Sequence, residues 1–190
     1  MTMFRTLKIG TAAALAATAG LLPSCIEAPD YPDAPRIEFK ELRVERNAPG
    51  GVFVPIDSVK ITVDFTDGNG DLGLEPDELS APYNPRDANG NYNRTTDNYF
   101  IKAFRRSSPT AEFVPYESGS TQGYSSRYPR LFSPDGKTGP LKGSITFTLP
   151  LTLGSPFFPG EELRFEVSIM DRALNESNKI TTSSYIVQPR

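Results

Sequence analysis

The 190-residue sequence has no histidine, no tryptophan, three methionines and one cysteine. Without an imidazole, Ser-His-Asp and Cys-His nucleophile systems and most zinc or iron sites are excluded. Enzyme readings shrink to carboxylate chemistry. A single thiol allows no disulfide within the monomer, so an exported fold would rest on its core alone. A basic surplus is missing as well: 20 Lys+Arg face 23 Asp+Glu, a formal −3, which argues against a nucleic-acid partner. Helical periodicity is absent too. What is abundant is 18 Pro, 15 Gly and 12 Phe, a composition of short strands joined by turns. The length suits one domain, and 37% hydrophobic content suits a packed core.

Arg5 and Lys8 precede an uncharged apolar run, Ile9 to Leu22, that ends at Pro23-Ser24-Cys25. A positive start, an apolar stretch and a small-residue exit make a secretory signal. The run falls short of the ~20 apolar residues that a membrane-spanning helix needs. The sole cysteine stands where cleavage falls. Leu22-Pro23-Ser24-Cys25 resembles a bacterial lipobox, which implies removal of residues 1–24 and a covalent lipid on Cys25. Each buried acyl methylene contributes ~0.8 kcal/mol, so two or three chains make release from a membrane slow. Removing 1–24 takes away Arg5 and Lys8 but no acid, leaving 18 bases against 23 acids in a mildly acidic mature chain.

Residues 25–35 read as a flexible, extended tether, with Pro29, Pro32 and Pro35 among Glu27, Asp30 and Asp33. The absence of Asp directly after Cys25 resembles lipoproteins sorted to the outer membrane. Acids just downstream resemble the surface-export signals of Bacteroidetes-type lipoproteins. The resemblance implies an outer-membrane, lipid-anchored and surface-exposed protein whose partner is an unknown envelope protein or glycan.

Residues 36–190 read as one all-β domain. Ile37, Phe39, Leu42 and Val44 mark a first strand, in which the step from Phe39 to Leu42 implies a bulge or a change of face, and Val59, Ile61, Val63 and Phe65 alternate in a second. Further strands are expected at 100–104, at 113–116 on an edge because of Pro115, at 144–149, at 163–169 and at 180–187. About seven strands without a helical stretch predict an antiparallel β-sandwich. The closing segment, Asp171-Arg172-Ala173-Leu174-Asn175-Glu176-Ser177, resembles the last hairpin of bacterial immunoglobulin-like and fibronectin-like repeats, with Leu174 where that pattern prefers Gly. Two long loops, 67–98 and 107–140, interrupt the strands. Such loops in a compact domain are functional or disordered. Six of the eight tyrosines fall between 83 and 128, to recognise a partner or to fill a small loop core.

One polar motif stands out. Asp67, Asn69, Asp71, Glu75 and Glu78 repeat the oxygen spacing of an EF-hand calcium loop, with Leu72 in place of the turn glycine and Gly73 one residue late. The preceding strand and Pro76 exclude the helix-loop-helix itself. The segment resembles an Asp-Gly-Asp-Gly-Asp-Ile-Gly stretch that follows a strand in Bacteroidetes-type lipoproteins. As a Ca²⁺ site, Asp67, Asn69 and Asp71 give side-chain oxygens and Gly73 a carbonyl, while Asp64, Glu75 or Glu78 completes the shell. The competing reading is a solvated acidic turn. Six acids and no base between Asp64 and Glu78 create a repulsion that a divalent ion relieves.

Asp57-Ser58-Val59 resembles a Bacteroidetes O-glycosylation acceptor, which implies Ser58 as the modified residue. A basic strip of Lys102, Arg105, Arg106, Arg127 and Arg130 suits either an anionic partner or ordinary exposed strand charge. The expectation is a non-enzymatic binding or accessory module at the cell envelope. The alternatives are a structural subunit of an envelope assembly and a carboxylate-based hydrolase.

Overall fold

The computed structural model describes residues 29–47, 54–132 and 139–189. The signal segment, Cys25 and Glu27 lie outside them. Alternation governs the framework: β2 (Ile56–Asp67) buries Val59, Ile61, Val63 and Phe65 and leaves the residues between them half-exposed. It pairs with β1 (Arg36–Asn47) on one side and β5 (Leu141–Thr152) on the other, in a three-stranded antiparallel sheet. The register of β1 against β2 shifts between Phe39 and Glu41, so the step is a bulge.

The second antiparallel sheet has five strands. β3 (Tyr99–Arg106) lies between β4 (Val114–Pro115) and β6 (Glu162–Ile169), and β6 also pairs with β7 (Ile180–Thr181) and β8 (Tyr185–Ile186). Pro115 does sit on an edge strand, where its missing N–H costs no ladder bond. The single strand expected at 180–187 is broken. Thr182 turns inward, and its hydroxyl accepts from the Phe165 N–H at 3.0 Å and donates to the Ser183 carbonyl at 2.6 Å. Its side chain thereby takes over a ladder position and ends β7.

One core joins the two sheets. Ile61 and Val63 of β2 and Phe147 and Leu149 of β5 share a cluster with Ile101 of β3 and Leu163, Phe165 and Val167 of β6. The rings of Tyr99 and Phe147 stack across the sheets at 4.5 Å. Each such side chain, once buried, contributes about 1.5–3 kcal/mol. The chain is therefore nearly all-β. Its one helical feature among the described residues is a 3-10 turn, Arg94–Thr96. No helix among those residues is long and apolar enough to cross a membrane.

The far end of the tether is attached. The Pro32 carbonyl accepts from Gly68 N–H at 2.9 Å, and a Cβ at position 68 would stand 2.3 Å from the Tyr31 oxygen. Only glycine allows that approach.

Candidate metal centre and the adjoining groove

The inward face of β2 runs Asp57, Val59, Ile61, Val63, Phe65, Asp67, an apolar run with an aspartate at each end. These aspartates are 1% and 0% exposed. A carboxylate taken out of water needs a counter-charge. Asp57 has Arg46, whose Nε and Nη2 donate at 2.5 and 3.0 Å. Asp67 has none among the described residues.

Asp67 has other acids for neighbours instead. Asp71 follows in the turn after β2, and Asp171 follows the end of β6; one carboxylate oxygen from each of the three lies within 4.8 Å of the others. Backbone contacts hold the two turns together: Leu72 bridges Asp171, and Arg172 N–H donates to the Asp71 carbonyl at 3.2 Å. Asp67 Oδ2 accepts from Asp71 N–H at 3.1 Å, and Asp71 Oδ2 from Ala173 N–H at 3.2 Å. Asp171 is fixed by Asn175, which donates its N–H at 2.7 Å and its Nδ2 at 2.8 Å. The other oxygen of Asp67 and of Asp71, Oδ1 in each case, is buried with no partner among the described residues.

The electrostatics follow from this crowding. Burial, then the Asp71 charge, push the Asp67 carboxyl up to about 6. Asp71 is raised by burial and by Asp171. Tyr128 is 6% exposed, and its hydroxyl has no hydrogen-bond partner. Burial and then the charges of Asp67, Asp171 and Asp71 raise its phenol, which lies in the field of all three.

Of the residues chosen as ligands from sequence, the structure thus brings Asp67 and Asp71 together. The others are engaged elsewhere. Asn69 Oδ1 accepts from Asp71 N–H at 3.3 Å. Gly73, at φ +93, lies so close to Pro129 that a Cβ would be 2.2 Å from its oxygen. Glu75 is half-buried, and Glu78 accepts from Glu75 N–H at 2.7 Å and from Arg172 at 2.6 Å. Asp64 is on the outer face with Lys40 at 2.9 Å. Asp171 was missed because it lies far along the chain, and only the packing of the two sheets, which brings the ends of β2 and β6 together, delivers it; its one sequence signal is its place at the head of the Asp-Arg-Ala-Leu-Asn turn. Ser58 sits half-buried on the outer face of the central strand, between Glu45 and Pro150.

The long loops also form an open groove of about 550 Å³ lined by Arg86, Asn91, Tyr92, Thr96, Asp97 and Gln122 among others. Asp97, 3% exposed, fixes two of its walls: it accepts from the Tyr92 hydroxyl and from Gln122 Nε2 at 3.0 and 3.1 Å. Arg127 secures the loops from behind by donating to the carbonyls of Glu75, Glu78 and Tyr83 at 3.1, 3.0 and 2.8 Å and to that of Thr96. The basic strip is therefore largely spent inside the fold. Lys102, Arg105 and Arg106 pair with Glu117, Glu161 and Glu162. Most of the clustered tyrosines pack as well, Tyr99 and Tyr128 near Phe147 and Tyr116 on Phe157.

In comparisons with known proteins, no family model, no curated protein and no solved structure matches this chain.

Proposed function

We propose that the chain is a non-enzymatic binding module of the bacterial outer membrane, anchored through lipid on Cys25 and built on an immunoglobulin-like or fibronectin-like sandwich. The observation that carries this reading is the groove wall set by Asp97. Tyr92 and Gln122 are locked by one buried carboxylate, and such pre-formed polar positions are what ligand sites use to fix orientation. The chemistry suits a hydroxyl-rich ligand of the glycan class: amide and hydroxyl groups for its oxygens, a tyrosine ring for its apolar face. Glycoside cleavage needs a pair of carboxylates. Asp97 is the one acid lining the groove, and it is already committed to Tyr92 and Gln122.

The test uses the detergent-solubilised full-length protein on immobilised envelope polysaccharides. Wild type should bind at least one of them, and Tyr92→Ala and Gln122→Ala should each weaken binding at least tenfold. Failure to bind any, or binding that both variants leave intact, overturns the groove. The anchor has its own test. Cys25→Ser should abolish incorporation of labelled fatty acid and release the protein from membranes; unchanged labelling and retention refute lipidation.

A structural subunit of an envelope assembly is the second reading. It is favoured by the bond between Pro32 and Gly68, which puts the loop end of the sheets where the tether arrives. Stoichiometric co-extraction with a membrane protein in mild detergent would select it.

A further inference from the structure

We propose that Asp67, Asp71 and Asp171 together hold one hard divalent cation of the calcium class, within whose field the buried Tyr128 phenol lies, and that this ion ties the turn after β2 to the turn after β6. The proposal does not depend on what the groove binds. It also differs from the spacing of the acidic loop, since its third acid comes from the opposite end of the chain and Glu75 and Glu78 take no part.

Three observations converge. The first is distance. Oxygens bound to one Ca²⁺ at about 2.3–2.6 Å lie no more than about 5 Å apart, and one oxygen from each of the three acids falls within 4.8 Å of the others.

The second is how the carboxylates are held. Backbone N–H groups take one oxygen of Asp67 and one of Asp71, which orients the groups and leaves Oδ1 of each buried and unpartnered. Asn175 orients Asp171 by donating to both of its oxygens, its N–H to Oδ1 and its Nδ2 to Oδ2, each of which keeps a lone pair to offer. Outer partners that fix ligand direction are a regular feature of metal sites.

The third observation comes from another residue. Tyr128 is more than nine-tenths buried, its hydroxyl has no partner among the described residues, and the charges of Asp67, Asp171 and Asp71 act on it. A buried hydroxyl ordinarily finds a partner, so an unbonded one in the field of three carboxylates leaves a polar atom for an ion or its water to satisfy.

The class of ion follows from the donors. All are oxygen, the sequence has no histidine, and its one cysteine is Cys25. Soft and nitrogen-seeking metals are disfavoured, and hard cations remain. Calcium accepts irregular oxygen shells of six to eight, whereas magnesium demands near-octahedral order and releases water reluctantly. Arg172, whose charge acts on Asp71, spends its guanidinium on Glu78 at 2.5 and 2.6 Å. A cation from solution is therefore the compensation that the described residues do not supply to Asp67. A shared proton is the competing explanation, and it makes the opposite forecast about calcium.

Scanning calorimetry of the detergent-solubilised full-length protein at pH 7, in chelator and then in millimolar Ca²⁺ or Mg²⁺, separates the two. At about a hundredfold excess over Kd, calcium should raise the melting temperature by roughly 5–10 °C, and magnesium by less. Asp67→Asn and Asp171→Asn should abolish the shift; Asn69→Ala and Glu75→Gln should keep it. Identical melting of wild type in all three buffers overturns the site, and a shift that survives Asp171→Asn overturns the ligand set. Terbium emission gives a second readout on wild type should the variants fail to fold. Tyrosine-sensitised emission should appear, be chased by Ca²⁺, and fall several-fold in Tyr128→Phe; no emission, or emission that calcium does not displace, counts against the proposal.

Discussion

Asn98 and Tyr128 exchange two hydrogen bonds as though they were neighbours in a sheet: Asn98 Nδ2 donates to the Tyr128 carbonyl at 2.9 Å, and Tyr128 N–H donates to Asn98 Oδ1 at 2.8 Å. An amide side chain here does the work of a missing strand. It attaches the 126–130 segment to the start of β3, and so places the Tyr128 ring against the core.

Asn98→Ala should leave the buried Tyr128 N–H unmatched, while the Tyr128 carbonyl keeps the Leu74 N–H at 3.1 Å, at a cost of about 1–3 kcal/mol. Calorimetry should show the melting temperature falling by roughly 2–10 °C. Asn98→Asp keeps the acceptor and loses the donor, so it should be as harmful or worse beside three acids.

Arg46 offsets the buried charge of Asp57 and also donates to the carbonyls of Gln188 and Pro189 at 3.0 and 2.8 Å. Arg46→Met should cost about 3 kcal/mol, because it strands a carboxylate. Urea unfolding of Arg46→Met with Asp57→Leu should recover most of that loss, since two apolar groups leave no charge to compensate.

Glu78 supplies the pH dependence. Hydrogen bonds from Arg172, and then from Glu75 N–H, hold its carboxyl at about 2 against an ordinary 4.5. A depressed folded value means that the contribution is complete above the unfolded value and is lost as pH falls toward the folded one. Glu78→Gln should therefore be less stable than wild type by about 1–2 kcal/mol at pH 7. The gap should close between pH ~4.5 and ~2 in urea melts.

Leu174 has φ +68, which side chains other than glycine rarely adopt, and is 39% exposed. Leu174→Gly should relieve about 1 kcal/mol of backbone strain and raise the melting temperature by roughly 2–4 °C. An unchanged or lower value would show that the leucine side chain contributes more than its backbone costs.

The strands were legible because their faces differ so sharply. Val59 to Phe65 alternates without a break, the step from Phe39 to Leu42 announces the bulge, and the leucine in place of glycine at 174 anticipates a left-handed residue. Less legible was whatever depends on chain reversal. The spacing from Asp67 to Glu78 suggested one continuous wrapping loop, yet Arg172 draws Glu78 away and Leu72 turns inward to 0% exposure. No local pattern could pair Asp171 with Asp67, because that contact exists only once β6 lies opposite β2. The two buried aspartates of β2 were equally silent in sequence: an acid that ends an alternating run reads as exposed until its neighbours are known.

The seam between Pro32 and Gly68 also bears on the geometry that the proposed lipid anchor would impose. Were Cys25 lipidated, roughly seven residues would separate the acyl chains from the point where the chain is fastened, a leash of at most about 25 Å. The turn that carries Gly68 would then stay within that radius of the bilayer surface. The pole where Arg46 meets Gln188 and Pro189 lies at the other end of β2 from that seam. A reporter fused at the carboxyl terminus would thus probe the end of β2 away from the seam, while the turn at Gly68 would meet whatever ions and partners gather at the membrane itself.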